Sequence, residues 1–222
     1  MIILENKLET NEIKETGMEN QMNNNLVVLS GKISKKPIYS HEVFGEAFYE
    51  SSIEVERLSS QIDNIPITIS ERLMQEVSFE RGESIAIEGQ FRSYNKLIDN
   101  HSKLMLTVFV RGCKENEEER SENYIELCGY VCKPPVFRVT PFNREIADVL
   151  IAVNRAYNKS DYIPCIAWGR NARFASRLAV GDKVNLVGRI QSREYQKVLE
   201  DGSEETRTAY EISISRISNA EE

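Results

Sequence analysis

A segment of the first half, Asp63-Asn64-Ile65-Pro66-Ile67-Thr68-Ile69-Ser70, returns 98 residues later as Asp161-Tyr162-Ile163-Pro164-Cys165-Ile166-Ala167-Trp168. At the same offset Gly31 falls on Gly129 and Arg72 on Arg170. Past the next segment the offset becomes 99, where Arg81-Gly82-Glu83 matches Val180-Gly181-Asp182 and Gly89 matches Gly188. Such a period is too long for a solenoid repeat and equals a small domain, so the chain is expected to fold as two tandem copies of one unit. In 222 residues each copy has room for one modest core.

Within each copy the hydrophobic period is mostly two, the signature of strands. In the second copy strands are expected over 124–131, 145–157, 161–168, 182–195 and 209–217. Between the third and fourth, Gly169 to Ala179 carries Phe174 and Leu178 four apart, with Gly181 beyond the end, which predicts a short helix. The first copy has the matching stretch Glu71 to Phe79 before Gly82. Three strands, a helix and two strands, twice over, is an all-β pattern that fits two tandem OB-folds, five-stranded Greek-key barrels. An SH3-like barrel or a small sandwich places no helix at this point so naturally.

The expected boundaries follow. Residues 1–22 are polar, Asn/Glu-rich and poor in aromatics, and read as a disordered leader. Residues 23–112 form the first barrel, 113–122 a charged linker, 123–217 the second barrel, and 218–222 a short acidic tail. No basic region followed by an apolar run marks a signal peptide, and no stretch approaches a membrane span, so a cytoplasmic, nucleoid-associated protein is expected, with no membrane contact. The four cysteines, Cys113, Cys128, Cys132 and Cys165, have no nearby histidine or second close pair. They read as reduced, partly buried thiols and not as a metal set.

The net charge of −7 argues against nucleic acid until its distribution is examined. From Gly129 to Lys197 there are 12 Lys and Arg against 5 Asp and Glu; residues 1–122 carry 14 against 22. The second half is built for an anion and the first is acidic. Strand alternation then sorts the aromatics. Tyr162 and Trp168 share a face with Ile166, Tyr157 shares one with Arg155, and Lys183, Arg189 and Arg193 share one with Tyr195. Any one of these rings alone is more often structural. Four rings alternating with cations suit single-stranded nucleic acid, whose bases stack at about 1–3 kcal/mol each and whose phosphates pair with Arg and Lys. A buried face would not hold so many unpaired arginines.

The runs Thr140 to Tyr157, Asp161 to Arg170 and Gly181 to Arg193 resemble the bacterial single-stranded DNA-binding proteins, over nearly all of 123–217. In that family aromatics near the end of the second strand, at both ends of the third and just after the fourth stack on bases. The resemblance places those roles on Tyr157, Tyr162, Trp168 and Tyr195, with phosphate contacts expected from Arg155, Arg170, Lys183, Arg189 and Arg193. In the first copy Ser59, Asn64, Ser70 and Lys96 hold the stacking positions and only Tyr94 offers a ring nearby, so 23–112 is expected to be a degenerate, structural barrel. Family members are typically tetramers of single barrels, which for this chain implies a homodimer with four barrels. They usually end in a long tail with acidic residues and a Pro-Phe tip that recruits replication and repair proteins. Here Ser218-Asn-Ala-Glu-Glu222 has the acid without the Pro-Phe, which puts that recruitment in doubt.

The expected function is a non-enzymatic binder that coats and protects single-stranded DNA in replication, recombination or repair. The alternative is an interaction module resembling the primosomal proteins built on the same barrel, which would chiefly bind replication proteins. No catalytic set and no cofactor site is read: there is no Ser/His/Asp arrangement and no phosphate-binding Gly loop, and Asp161 and Asp182 read as isolated turn or strand-end residues. Stacking does not distinguish RNA from DNA, so RNA stays open as a ligand.

Overall fold

The computed structural model describes residues 24–98, 101–117, 119–198 and 202–220. The expected leader 1–22 lies outside the described residues, as do Glu221 and Glu222. In chain order the first unit comprises β1 (Asn25–Val43), β2 (Glu46–Glu56), β3 (Ile62–Ser70), α1 (Glu71–Met74), β4 (Ser84–Ile98) and β5 (His101–Glu115). The second comprises β6 (Glu122–Val131), β7 (Val136–Val139), β8 (Glu145–Arg155), β9 (Lys159–Trp168), α2 (Arg170–Ala175), β10 (Lys183–Val198) and β11 (Glu204–Asn219).

The hydrogen-bonded order is β2-β3-β5-β4-β1-β6-β10-β11-β9-β8-β7, with β2 also pairing β1 and β6 also pairing β8. Each closure turns its half into a barrel, and the parallel pairs β3–β5 and β9–β11 sit at matching places. The fold is two tandem OB-fold barrels. They are joined edge to edge, because β1 pairs antiparallel with β6 from Asn25↔Leu127 to Ser30↔Glu122.

The alternation legible in sequence is the inside-outside alternation of these barrels. Ile65, Ile67 and Ile69 on β3, and Ile163, Cys165 and Ala167 on β9, are buried in the two cores. The repeated glycines have a steric reason. A Cβ on Gly129 would stand 2.6 Å from the carbonyl oxygen of Ala152, where β6 crosses β8 to close the barrel; Gly31 meets the carbonyl of Glu54 in the same way.

Several expected boundaries shift. The charged linker is shorter than 113–122, because β5 runs on to Glu115, with Lys114 paired to Ala86, and β6 starts at Glu122. Both helices are shorter than the segments expected: α1 is a single turn and α2 is under two turns. β7 was not foreseen. In the first barrel one strand bends through Lys35-Lys36-Pro37 with bulges; in the second, Pro134-Pro135 removes two consecutive N–H donors and cuts the strand in two. β8 ends at Arg155, so Tyr157 is not on a strand.

Candidate nucleic-acid interface

Tyr162 and Trp168 project from the outer side of β9, opposite Ala152 and Ile146 of β8. They are 48% and 39% exposed. Tyr157 occupies the β8–β9 turn with a left-handed backbone (φ 61°), followed by Asn158 (φ 55°), and its ring is almost wholly in solvent. The sequence placed it by strand alternation. Its exposure comes instead from a turn that breaks the strand. Tyr195 stands far out on β10, paired with Arg207, and the Arg193 guanidinium lies 5.9 Å from its ring centroid.

The first barrel inverts this stripe. Where β8 and β9 set Ile146 opposite Trp168, β2 and β3 set Phe48 opposite Ser70. The large ring has moved one strand over and is covered. Phe48 stacks on His41 (5.2 Å, 14° between planes) and leans on Phe109 (5.6 Å), and Arg92 lies over Phe109 at 4.0 Å. The small outer positions are closed by a Thr68–Thr107 hydroxyl contact of 2.9 Å.

The cations expected to touch phosphates separate into three groups. Arg193 and Arg170 are exposed, and Arg170 forms no ion pair among the described residues. Lys183 pairs with Tyr130 of β6, twelve residues from Tyr195, or roughly 40 Å along an extended strand, so it does not join the rings. Arg155 and Arg189 turn toward the seam between the barrels. Arg155 Nε lies 3.5 Å from Asp161 Oδ2, within ion-pair range but without a hydrogen bond. Arg189 is half-buried, and burial first, then Arg57, push its pKa down, with Asp63 opposing.

The sequence missed the seam. Asp161, read as a strand-end residue, is a fully buried member of β9 whose Oδ1 accepts the N–H of Ser93 at 2.7 Å across the barrel boundary. The repeat makes its counterpart Asp63 do the same to Ser192, also at 2.7 Å. Asn25 and Asn123 complete the symmetry: Asn25 exchanges two bonds with the Phe91 backbone, and Asn123 two with that of Ile190. Asp182, by contrast, is the turn residue expected, accepting the N–H of Ala179.

The two buried carboxylates are unequally held. Asp63 takes two charge-assisted bonds from Arg57, at 2.6 and 2.5 Å, as well as Ser192. That bonding raises the Arg57 pKa. Asp161 has no such clamp. Burial raises its pKa, with the Ser93 N–H and then Arg155 and Arg92 pulling it back. Arg92 pays in kind: burial, then Arg155, lower it to about 10.

This seam gives the surface a composite character. The backbone N–H of Tyr162 donates to Ser93 Oγ at 2.8 Å, so β4 of the first barrel, with Arg92 and Tyr94 on either side of Ser93, runs beside the Tyr162 face. Reciprocally Asn64 N–H reaches Ser192 Oγ at 3.4 Å, so the arm that carries Arg193 and Tyr195 runs beside β3 of the first barrel. The four expected rings all belong to the second barrel, but Tyr195, far out on β10, extends along the first.

Residues 122–219 match the single-strand binding protein family. That match spans the second barrel. The chain is 35% identical over 81 residues to single-stranded DNA-binding protein 3 of Streptococcus agalactiae, a match covering 33% of this chain and 59% of that protein. It is 33% identical over 81 residues to the single-stranded DNA-binding protein of Bacillus cereus, covering 33% of this chain and 48% of that one. The chain spans about half the length of the curated relatives it matches. The fold of both barrels together is shared with the crystal structure of the wild-type single-stranded DNA-binding protein from Thermus aquaticus, with a TM-score of 0.68 at 20% identity over 89% of this chain and 93% of that one. Among the described residues no helix is long and apolar enough to cross a membrane.

Proposed function

We propose that this protein binds single-stranded DNA without strong sequence preference and protects it during replication, recombination or repair. The observation that carries this is the outer stripe of β9. Tyr162 and Trp168 stand exposed there, where the matching stripe of β3 holds Asn64 and a buried Ser70. Bases would stack on Tyr162, Trp168 and Tyr157, and Tyr195 with Arg193 would extend the path along the β10–β11 arm toward the first barrel. Arg193 is the exposed cation beside Tyr195 placed to meet phosphate, while Arg155 and Arg189 chiefly offset the buried seam carboxylates. The first barrel acts as scaffold, and two chains would pair to present four barrels. Titration with oligo-dT, followed by Trp168 fluorescence at two salt concentrations, tests this: quenching that weakens at high salt is expected, and unchanged fluorescence refutes it. Light scattering tests the pairing, which a mass of 25.5 kDa would exclude.

A further inference from the structure

Beside Trp168 the surface sinks into a pocket of about 430 Å³ lined by Trp168, Arg170, Asn171, Phe174, Ser215 and Ile217. It exists because Gly169 takes a left-handed backbone (φ 52°) and turns the chain sharply from β9 into α2. Its apolar walls are the indole and the Phe174 ring, over the buried Ile217.

The polar groups are few and oriented. Asn171 Nδ2 donates to the Ser215 carbonyl at 3.0 Å, which fixes the amide and leaves its Oδ1 as an acceptor. The Ser215 hydroxyl donates to the Val187 carbonyl at 2.9 Å. The Arg170 guanidinium is a planar fork of donors with no carboxylate to hold it among the described residues. The pocket thus offers paired donors, one acceptor and an aromatic wall.

We infer that this pocket takes one guanine of the bound strand, with Arg170 reading base edge in place of phosphate. Guanine alone among the purines presents two adjacent acceptors, O6 and N7, to a guanidinium fork, and its N1–H and N2–H₂ can reach an amide oxygen. Adenine sets a donor beside its N7, and thymine has no adjacent acceptor pair. Cytosine has the acceptor pair but only one ring to fill the space between Trp168 and Phe174. The inference rests on the proposed stacking of single-stranded DNA at Trp168 and adds to it a preference at one position.

The test uses the full chain and oligo-dT of about sixteen nucleotides, the upper end of what one such barrel covers, carrying a single central dG, dA, dC or 7-deaza-dG. The dG oligomer should bind roughly ten-fold more tightly than oligo-dT, a modest value for one bidentate pair. The 7-deaza-dG oligomer, which lacks N7 but stacks as well, should lose most of that gain. Arg170→Lys keeps the charge and should bring the dG-to-dT ratio near one, because an ammonium has no fork. Equal binding of all oligomers overturns the pocket and leaves the stacking proposal standing; failure of oligo-dT to bind overturns both. Preference for dC, or displacement of the dG oligomer by free guanosine monophosphate at matching concentrations, also overturns the assignment to a strand guanine.

Discussion

The two barrels share a backbone plan and differ in what they turn outward. In the second barrel the stripe of β9 exposes Tyr162 and Trp168; in the first, the same stripe is polar, and the rings of His41, Phe48 and Phe109 cover one another under Arg92. A barrel interior constrains residues through volume and closure, so Gly31/Gly129 and the Ile/Val positions persist through the duplication. The outer face is held by no such constraint, and there one copy carries a set of platforms while the other has closed over. The lesson extends to the seam, where symmetry keeps Asp63 and Asp161 in place but only Asp63 keeps a bidentate arginine.

The largest effect that would break the comparison lies at that seam. Asp63→Asn removes the charge that pairs with Arg57 and turns one of the two accepting oxygens into an NH2 donor facing the guanidinium, so the two-oxygen clamp is lost even if the remaining oxygen keeps Ser192, and it should cost about 3 kcal/mol or more in chemical denaturation. Asp161→Asn keeps an oxygen for the Ser93 N–H and gives up only a loose ion pair, and should cost about 1 kcal/mol or less. Equal losses would show the seam to be symmetric in energy as it is in layout.

Ring truncation comes next. Trp168→Ala or Tyr162→Ala should each weaken oligo-dT binding by about 2 kcal/mol, near thirty-fold, whereas Ser70→Ala at the matching position of the first barrel should leave it unchanged. Fluorescence anisotropy of a labelled oligomer reads all three. A loss at Ser70 comparable to that at Trp168 would make the first barrel a binding surface too.

Much of the fold was legible in the sequence for a definite reason. A strand inside a closed barrel alternates core and solvent, so Ile163, Cys165 and Ala167 declared the inner face and Tyr162 and Trp168 the outer. Alternation tells inside from outside; it does not tell which part of a barrel's circumference an outer residue occupies. Alternation groups Lys183 and Arg189 with Tyr195, yet one pairs beside β6 and the other lies in the seam. The seam itself was illegible because its acids and their partners lie in different copies. Asp161 meets Ser93 and Asp63 meets Ser192, and no local pattern links them.

A smaller effect concerns pH. The Asp161 pKa is raised by burial, so the folded state binds its proton more tightly than the unfolded chain does. Stability from this group is then full below the ordinary carboxylate value near 4 and is lost as pH rises through the raised folded value. The stability of the protein relative to Asp161→Asn should therefore shrink as pH rises from about 4 to 7. Urea denaturation of both proteins at the two pH values reads the difference, and a growing advantage would mean that Arg155 and Arg92 hold the carboxylate ionised after all.

The finest distinction is between cations in the two barrels that border the same surface. Arg193 is exposed on the β10–β11 arm, beside Tyr195, and a phosphate contact there releases about one counterion, so Arg193→Gln should lower the slope of log affinity against log salt by about 1. Arg92 also borders Tyr162 but lies over Phe109 with its Nε buried; at a pKa of about 10 it is still protonated at neutral pH. Its charge is present but its donors are turned inward, so Arg92→Gln should change the slope by well under 1 while loosening the Phe48–Phe109 cover. Equal slope changes for the two variants would mean that the strand crosses the seam at Arg92, and the first barrel would then be part of the binding path in addition to its scaffold role.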